Sequence, residues 1–192
     1  ALLLAACVFG GTPYKMAGAS WDAPAGSKPP RTSLPMPPIE PAHKTAADAA
    51  TPRGAWTQLD GRRAGLEDLR GQVVILDFWA TYCAPCREEI PHLVRLQREF
   101  GPQGFKVIGL NVGGQEDRPR IPDFVKQYGI QYQLAEPDDE TVRLFLASNG
   151  NIPQTFVLDR RGKIILHIVG YDGDAAAQLD EAVRDALSEK AD

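Results

Sequence analysis

The sequence is poor in cysteine, has no large excess of either charge and contains no long hydrophobic run. Three cysteines in 192 residues are too few for a disulfide-stapled scaffold, and a chain of this length can bury a core without one. A formal charge of -4, without long runs of one sign, argues against a nucleic-acid binder. No apolar stretch approaches the ~20 residues that span a bilayer, which excludes a polytopic membrane protein. An ordinary globular protein of one or two domains remains.

Residues 8–54 have the composition of a linker. Nine of the 16 prolines lie between Pro13 and Pro52, in a stretch rich in alanine, serine and threonine. Ordering a backbone costs ~1 to 2 kcal/mol per residue, and this stretch offers too little apolar area to offset that cost. We therefore predict a disordered, solvated tether. The alternative is that part of it packs on the following domain, with Trp21 as the docking residue.

The first seven residues are apolar and end in small residues before a cysteine. They have the character of a truncated secretory signal peptide that runs into a processing site. The run Leu4-Ala5-Ala6-Cys7 resembles the bacterial lipoprotein box, in which lipid is attached to the cysteine. This resemblance implies lipidation of Cys7 and a membrane-anchored domain. The alternative is the end of a transmembrane anchor with Cys7 uninvolved, and both readings place the domain outside the cytoplasm, in the periplasm or on the cell surface.

From residue 55 onward the pattern changes to alternating strands and helices. Asp60-Gly61 predicts the turn of a small hairpin, and the apolar runs 72–80 and 105–112 predict strands buried on both faces. Further strands are predicted over 132–135, 154–158 and 163–169, and helices over 88–100, 122–128, 139–147 and 175–187. The order of these elements predicts an α/β domain with a central mixed sheet and helices on both faces.

The chemistry is concentrated in Cys83-Ala84-Pro85-Cys86, directly after the buried strand and at the start of a helix. The N-terminal helix dipole and free backbone N–H groups stabilise a thiolate there, and the two-residue spacer lets the second cysteine close a disulfide on the first. A structural zinc site would need two further ligands, and the sequence has no second pair of this kind. We therefore expect no metal and no cofactor beyond this redox-active disulfide.

Residues 77–86 resemble the active-site segment of the thioredoxin superfamily, with Tyr82 where that superfamily usually has Trp. Ile152-Pro153, just before a strand, is similar to the cis-proline loop that lies against the disulfide. The segments 56–71 and 86–91, and the long separation of Cys86 from Pro153, resemble the extracytoplasmic thiol-disulfide oxidoreductases of the TlpA/ResA type. The resemblance implies a thioredoxin-like fold over 55–192, with an N-terminal β-hairpin and a helix–strand insertion.

The resemblance also implies roles for five residues. Cys83 would attack a target disulfide, Cys86 would resolve the mixed disulfide, and Pro153 would lie beside them. Asp77 matches a buried acid that takes the proton of Cys86, and Glu89 matches an acid that tunes the cysteine pair. For Glu89 the alternative is a solvated helix face.

A substrate-contacting surface is expected around the sulfurs. The residues predicted to form it are Trp79, Tyr82, Ala84, Pro85 and Ile152. For Trp79 in particular, simple core packing is the alternative.

The leading functional hypothesis is a membrane-tethered reductase of disulfides in exported proteins, as in cytochrome c maturation, supplied with electrons by a membrane thiol donor. The Cys-x-Pro-Cys loop is typical of reducing members of the superfamily. A disulfide oxidase or isomerase is a second hypothesis, and a copper or haem chaperone in which the cysteines hold metal is a third. A thiol peroxidase is disfavoured, because no proline stands at the peroxidatic position and Cys83 is closely paired with Cys86.

Overall fold

The computed structural model describes residues 54–189, in which a seven-stranded sheet is combined with four α-helices. The predicted signal segment and the tether up to residue 53 lie outside the described residues. The strands are β1 (Ala55–Gln58), β2 (Arg63–Gly65), β3 (Val73–Trp79), β4 (Phe105–Asn111), β5 (Gln133–Pro137), β6 (Gln154–Leu158) and β7 (Ile164–Val169). The helices are α1 (Ala84–Phe100), α2 (Ile121–Tyr128), α3 (Asp139–Leu146) and α4 (Gly173–Ser188). None of these helices combines the length and the hydropathy needed to cross a membrane.

The sheet is mixed, with strand order β2-β1-β5-β4-β3-β6-β7. β3, β4 and β5 run parallel to one another, and the four remaining strands add antiparallel pairs at the two edges. The predicted mixed sheet, the hairpin at Asp60-Gly61 and the helices on both faces are therefore confirmed. Gly61, with φ of 86°, forms the predicted Asp-Gly turn between β1 and β2, since glycine adopts positive φ without steric cost.

The central strand β3 explains why the domain has two apolar cores. All seven of its residues are buried, and their side chains alternate between the two faces of the sheet. One face carries Val73, Ile75 and Trp79 into a core shared with α1, α2 and α4. The opposite face carries Val74, Leu76 and Phe78 into a second core that includes Phe145 of α3. The near-continuous apolar run is the signature of a strand covered on both sides.

The insertion predicted from the resemblance consists of α2 and β5, which lie between β4 and α3. β5 pairs in parallel with β4 and antiparallel with β1, so the insertion connects the N-terminal hairpin to the centre of the sheet. The domain also begins earlier than predicted. Gly54, assigned to the tether, is buried, and its carbonyl accepts a hydrogen bond of 3.0 Å from the backbone N–H of Leu66.

Helix α1 begins at Ala84, four residues before the predicted start. The prediction followed apolar periodicity, which residues 84–87 do not carry. Their helical conformation has another cause: Cys83 is the N-cap, and Pro85 stands in the first turn, where a missing N–H costs nothing. The reactive motif is thereby placed at the positive end of the helix dipole.

The packing predicts the effect of adding one methyl group at Gly109 in β4. A Cβ there would lie 2.6 Å from Leu134 Cδ2 and 3.1 Å from Trp79 Nε1, closer than non-bonded atoms pack. We expect Gly109→Ala to lower the free energy of unfolding by about 1 to 3 kcal/mol, measured by urea denaturation. Gly173→Ala is the matched control, because nothing lies within 4 Å of its added Cβ, and it should not destabilise the domain. Equal stability of both variants would contradict the packing described here.

Candidate active site

Cys83 and Cys86 are joined by a disulfide at the first turn of α1, with 5.3 Å between their Cα atoms. Cys83 has extended backbone geometry, and its Sγ accepts a hydrogen bond of 3.2 Å from the backbone N–H of Cys86. Cys83 is 6% exposed and Cys86 only 1%. Cys83 is thus the more accessible sulfur, and it is the one that the helix N-terminus would stabilise as a thiolate.

The loop before β6 carries the cis peptide bond expected between Ile152 and Pro153. The backbone carbonyl of Pro153 accepts a hydrogen bond of 2.9 Å from Gly170, which ties this loop to the end of β7. Ile152 packs, half-buried, against the cluster that contains both cysteines. The loop therefore shares a packed core with the disulfide.

Asp77 is buried in β3 on the face that meets α1. It is 1% exposed, and neither of its carboxyl oxygens has a hydrogen-bond partner among the described residues. Burial raises the pKa of Asp77 well above its ordinary value, and the nearby charge of Glu89 raises it further. A carboxyl group with no donor around it retains its proton at a pH where an exposed aspartate is ionised.

Glu89 is also buried, one helical turn after Cys86. Its Oε1 accepts a hydrogen bond of 2.6 Å from the Thr155 hydroxyl, and its Oε2 has no partner among the described residues. Burial raises the pKa of Glu89 to about 7, although the Thr155 bond acts in the opposite direction. The alternative that Glu89 lies on a solvated helix face is therefore wrong, whereas its neighbour Glu88 is exposed.

Thr155 connects the two acids and was not predicted. In the sheet it stands opposite Asp77, so the two side chains project from the same face. Its hydroxyl bonds Glu89 from that face. The alternation of side chains along the strand after Pro153 was the signal available in the sequence. Only the register between β3 and β6 shows that Thr155 lies opposite Asp77.

A second unpredicted group, Asp117, holds the turn before the cysteines. Its carboxylate accepts hydrogen bonds from the backbone N–H and the hydroxyl of Thr81, the former at 2.9 Å, and from the Asn111 amide at 2.7 Å. Arg87 in turn donates two hydrogen bonds, of 3.0 and 2.8 Å, to the Thr81 carbonyl. Thr81, two residues before Cys83, is therefore restrained at its N–H, its hydroxyl and its carbonyl.

Of the predicted substrate-contacting residues, four reach the surface around the sulfurs. Tyr82 is 59% exposed, Ala84 is exposed, and Pro85 and Ile152 are half-buried. Trp79 is fully buried and stacks on Phe124 of α2, with 5.0 Å between the ring centroids. The prediction that Trp79 contacts a substrate was wrong, because the alternation of β3 directs its ring into the core.

The arrangement can perform two-electron exchange between a dithiol and a disulfide. It supplies a sulfur at a helix N-terminus, a second sulfur bonded to it, and two buried carboxyl groups, of which Glu89 lies one turn after Cys86 on the same helix. Within residues 54–189, no group of three or more His, Cys, Asp or Glu side chains is arranged to hold a metal ion.

Comparison with known proteins agrees with this chemistry. The chain belongs to the AhpC/TSA family, which residues 43–167 match. It is 34% identical over 119 residues to the thiol-disulfide oxidoreductase ResA of a Bacillus cereus strain, covering 62% of this chain and 67% of that protein.

Two solved structures from Chlorobium tepidum share the fold. A thiol:disulfide interchange protein of the DsbE type superposes with a TM-score of 0.63 at 30% identity, over 72% of this chain and 95% of the other. A thiol:disulfide interchange protein of the thioredoxin family gives 0.61 at 32% identity, over 72% and 97%. The fold is thioredoxin-like, and the protein is a thiol-disulfide oxidoreductase of the ResA/DsbE type.

The raised pKa of Glu89 predicts a pH-dependent stability. Its folded-state pKa of about 7 exceeds the ordinary 4.5, so the folded state binds more protons between these values. The stabilisation is complete below about pH 4.5 and is lost as the pH rises through about 7, by on the order of 3 kcal/mol. Glu89→Gln should make this part of the profile less steep, while the fall caused by the raised pKa of Asp77 remains, measured by urea denaturation of the oxidised protein from pH 5 to pH 8.

Glu88→Gln is the matched control, since Glu88 is the exposed neighbour on the same helix. It should leave the profile of the wild-type protein unchanged. A Glu89→Gln protein whose stability falls as steeply as that of the wild-type protein over this interval would show that Glu89 does not contribute to the fall.

Proposed function

We propose that this protein is a reductase of disulfides in exported proteins, with Cys83 as the attacking cysteine and Cys86 as the resolving cysteine. The observation that carries this proposal is the position of Cys83. Its sulfur lies at the N-terminus of α1 and accepts a hydrogen bond from a backbone N–H, and Cys83 is the more exposed of the two cysteine residues. A sulfur in this setting is a stabilised thiolate once the disulfide is reduced.

In the first step the Cys83 thiolate attacks one sulfur of the substrate disulfide. A bond forms between Cys83 Sγ and that sulfur, and the other substrate sulfur leaves as a thiolate. In the second step Cys86 loses its proton and attacks Cys83 Sγ, which restores the bond between Cys83 and Cys86 and releases the second substrate thiolate. Two electrons pass from the protein dithiol to the substrate, and a membrane thiol donor would return them.

We assign the uptake of the Cys86 proton to Asp77 and Glu89 as a coupled pair. Both carboxyl groups are buried, and the charge of Glu89 raises the pKa of Asp77 further, so the pair carries at most one negative charge near neutral pH. The pKa of Asp77 is raised well above its ordinary value, so Asp77 keeps its proton. Glu89, with a pKa of about 7 and a position one turn from Cys86, is then the member that exchanges a proton.

The surface around the sulfurs would receive an extended substrate segment. Tyr82, Ala84 and Pro85 adjoin the cysteines in the chain, and Ile152 of the cis-proline loop packs against the cluster that contains both cysteines. The backbone of Gln154 is already used within the sheet, whereas Ile152 precedes the strand and forms no backbone hydrogen bond within residues 54–189. Its peptide groups are therefore available to pair with a substrate strand.

The setting we propose is extracytoplasmic and membrane-anchored, through lipid on Cys7. It rests on the lipoprotein-box resemblance of residues 4–7 and on the linker composition of the segment that follows. Exported proteins whose cysteines must be kept reduced, such as those that receive haem in cytochrome c maturation, are the substrates that this setting offers. Metabolic labelling with a fatty-acid analogue, compared with Cys7→Ser, tests the anchor.

The reduction potential of the Cys83–Cys86 pair tests the direction of the reaction. The full chain is equilibrated in graded dithiothreitol or glutathione buffers, and its free thiols are quantified. We expect roughly -250 mV or lower, the thioredoxin end of the scale. A value near roughly -120 mV belongs to strong oxidants and would make the protein a disulfide-forming enzyme instead.

Single-cysteine variants test the two assigned roles. Cys83→Ser should abolish reduction of insulin disulfides, because the attacking sulfur is lost. Cys86→Ser should form a mixed disulfide with the substrate that persists on a non-reducing gel, because no second sulfur resolves it. Stoichiometric copper or haem binding by the wild-type protein without any disulfide exchange would favour the chaperone hypothesis.

A further inference from the structure

A groove of ≈ 450 Å³ is lined by residues that flank the two cysteines in the chain, although neither cysteine is part of the lining, and the mechanism above does not use it. One wall is the active-site turn, with Thr81 and Tyr82, and the other is α2 of the insertion together with the residues just before it. Tyr82 is the residue that precedes Cys83, so the groove opens next to the attacking sulfur. It lies on the insertion side of the disulfide, and the loop of Ile152 and Pro153 is not part of its lining.

The floor of the groove is aromatic and rigidly packed. Phe124 contacts Trp79 at 5.0 Å and Tyr128 at 4.5 Å between ring centroids. Phe124 and Tyr128 line the groove, and Tyr82 stands exposed at the opposite rim. Aromatic rings of this kind bind the apolar parts of a peptide with little loss of conformational entropy.

Two guanidinium groups give the groove its charge. Arg87 and Arg120 are both exposed in its lining, and within residues 54–189 neither forms an ion pair. Arg87 is held in place by its two hydrogen bonds to the Thr81 carbonyl. The Asp117 carboxylate accepts hydrogen bonds from Thr81 and Asn111, and it lies near enough to Arg120 for that charge to lower its pKa, although the two groups form no ion pair. With one acid in the same lining, Asp123, the groove has a net charge of +1 in a chain whose net charge is -4.

We propose that this groove binds the polypeptide segment next to the substrate's target cysteine, and that Arg120, with Arg87, selects a carboxylate side chain in that segment. The inference rests on the proposed function, because it requires that Cys83 reacts with a polypeptide disulfide. Guanidinium groups bind carboxylates through paired, charge-assisted hydrogen bonds, and a local positive charge also increases the rate of encounter with an acidic partner. The substrate class is thus a disulfide with an acidic residue within a few positions of the cysteine.

The test uses the full-length, reduced protein and three disulfide-bonded peptides. The peptides are identical except that the residues flanking each cysteine are Glu, Gln or Lys, and kcat/KM for their reduction is measured at low ionic strength. We expect the Glu peptide to be reduced about tenfold more efficiently than the Gln peptide, and the preference to shrink in 0.5 M salt. The intrinsic reactivity of each peptide disulfide is the same whichever protein variant is used. A change in the ratio of kcat/KM between two peptides from one variant to another therefore measures the contribution of the groove to substrate selection.

Substitutions in the groove should change the ratio of kcat/KM for the Glu peptide to kcat/KM for the Gln peptide. Removing a positive charge should lower this ratio, and removing a negative charge should raise it. Arg120→Gln should bring it close to one, and Arg120→Glu should transfer the preference to the Lys peptide. Asp123→Asn, which removes the acid from the same lining, should increase the preference for Glu. Arg98→Gln is the control for loss of one positive charge. Arg98 is exposed on α1 about 22 Å along the helix from Cys83, and this variant should retain the wild-type ratio.

The two proposals fail in different ways. If the wild-type protein reduces all three peptides equally, or if Arg120→Gln leaves the ratio unchanged, the groove does not select acidic substrates, and the reductase function stands. If the protein reduces none of the peptides, the proposed function fails and the inference fails with it.

Discussion

The energetic constraint at this site is the removal of two carboxyl groups from water beside a disulfide. An ionised carboxylate in an apolar interior costs several kcal/mol unless donors surround it. From the described part of the chain, the four oxygens of Asp77 and Glu89 receive one hydrogen bond, from Thr155. The pair therefore keeps at least one proton under conditions in which exposed acids are ionised. Its field extends to Tyr132, whose pKa is raised well above its ordinary value by burial first and by both acids second. Such an arrangement weakens the fold, which is expected of a site retained for its chemistry.

The β3 strand determines what surrounds these acids. Its alternation places Asp77 between Ile75 and Trp79 on the face covered by α1. In the neighbouring strands the residues opposite Asp77 are Thr155 on one side and Gly109 on the other. Asp77 thus has apolar neighbours along its own strand. The neighbouring strand on one side presents the hydroxyl of Thr155, and the strand on the other side presents Gly109, which has no side chain. Glu89 of α1 lies near enough for its charge to raise the pKa of Asp77.

The parts of the fold that could be predicted from the sequence are those that depend on local patterns. The apolar run of β3, the Asp-Gly hairpin and the cysteine motif can each be recognised from a few consecutive residues. Thr155 and Asp117 could not be found in this way, because their roles depend on the register of β6 against β3 and on the path of the chain after β4. The misassignment of Trp79 has a different cause. Strand alternation puts it on the same buried face as Asp77, and the strand pattern alone contained this information.

Two buried aspartates in this domain show what separates a structural carboxyl group from a reactive one. Asp77 and Asp117 are each 1% exposed. Burial acts to raise the pKa of both, but in Asp117 the hydrogen bonds from Thr81 and Asn111 outweigh it, and the pKa is lowered. Asp77 has no such donors, and its pKa is raised. Asp117 is consequently a fixed negative charge that anchors the turn before Cys83, whereas Asp77 remains in its protonated form beside Glu89. Asp77 also lies much deeper in the domain than Asp117. Depth and hydrogen-bond donors therefore act together: Asp117 has three donors and anchors the site, whereas Asp77 is deep, has no donor among the described residues and keeps its proton.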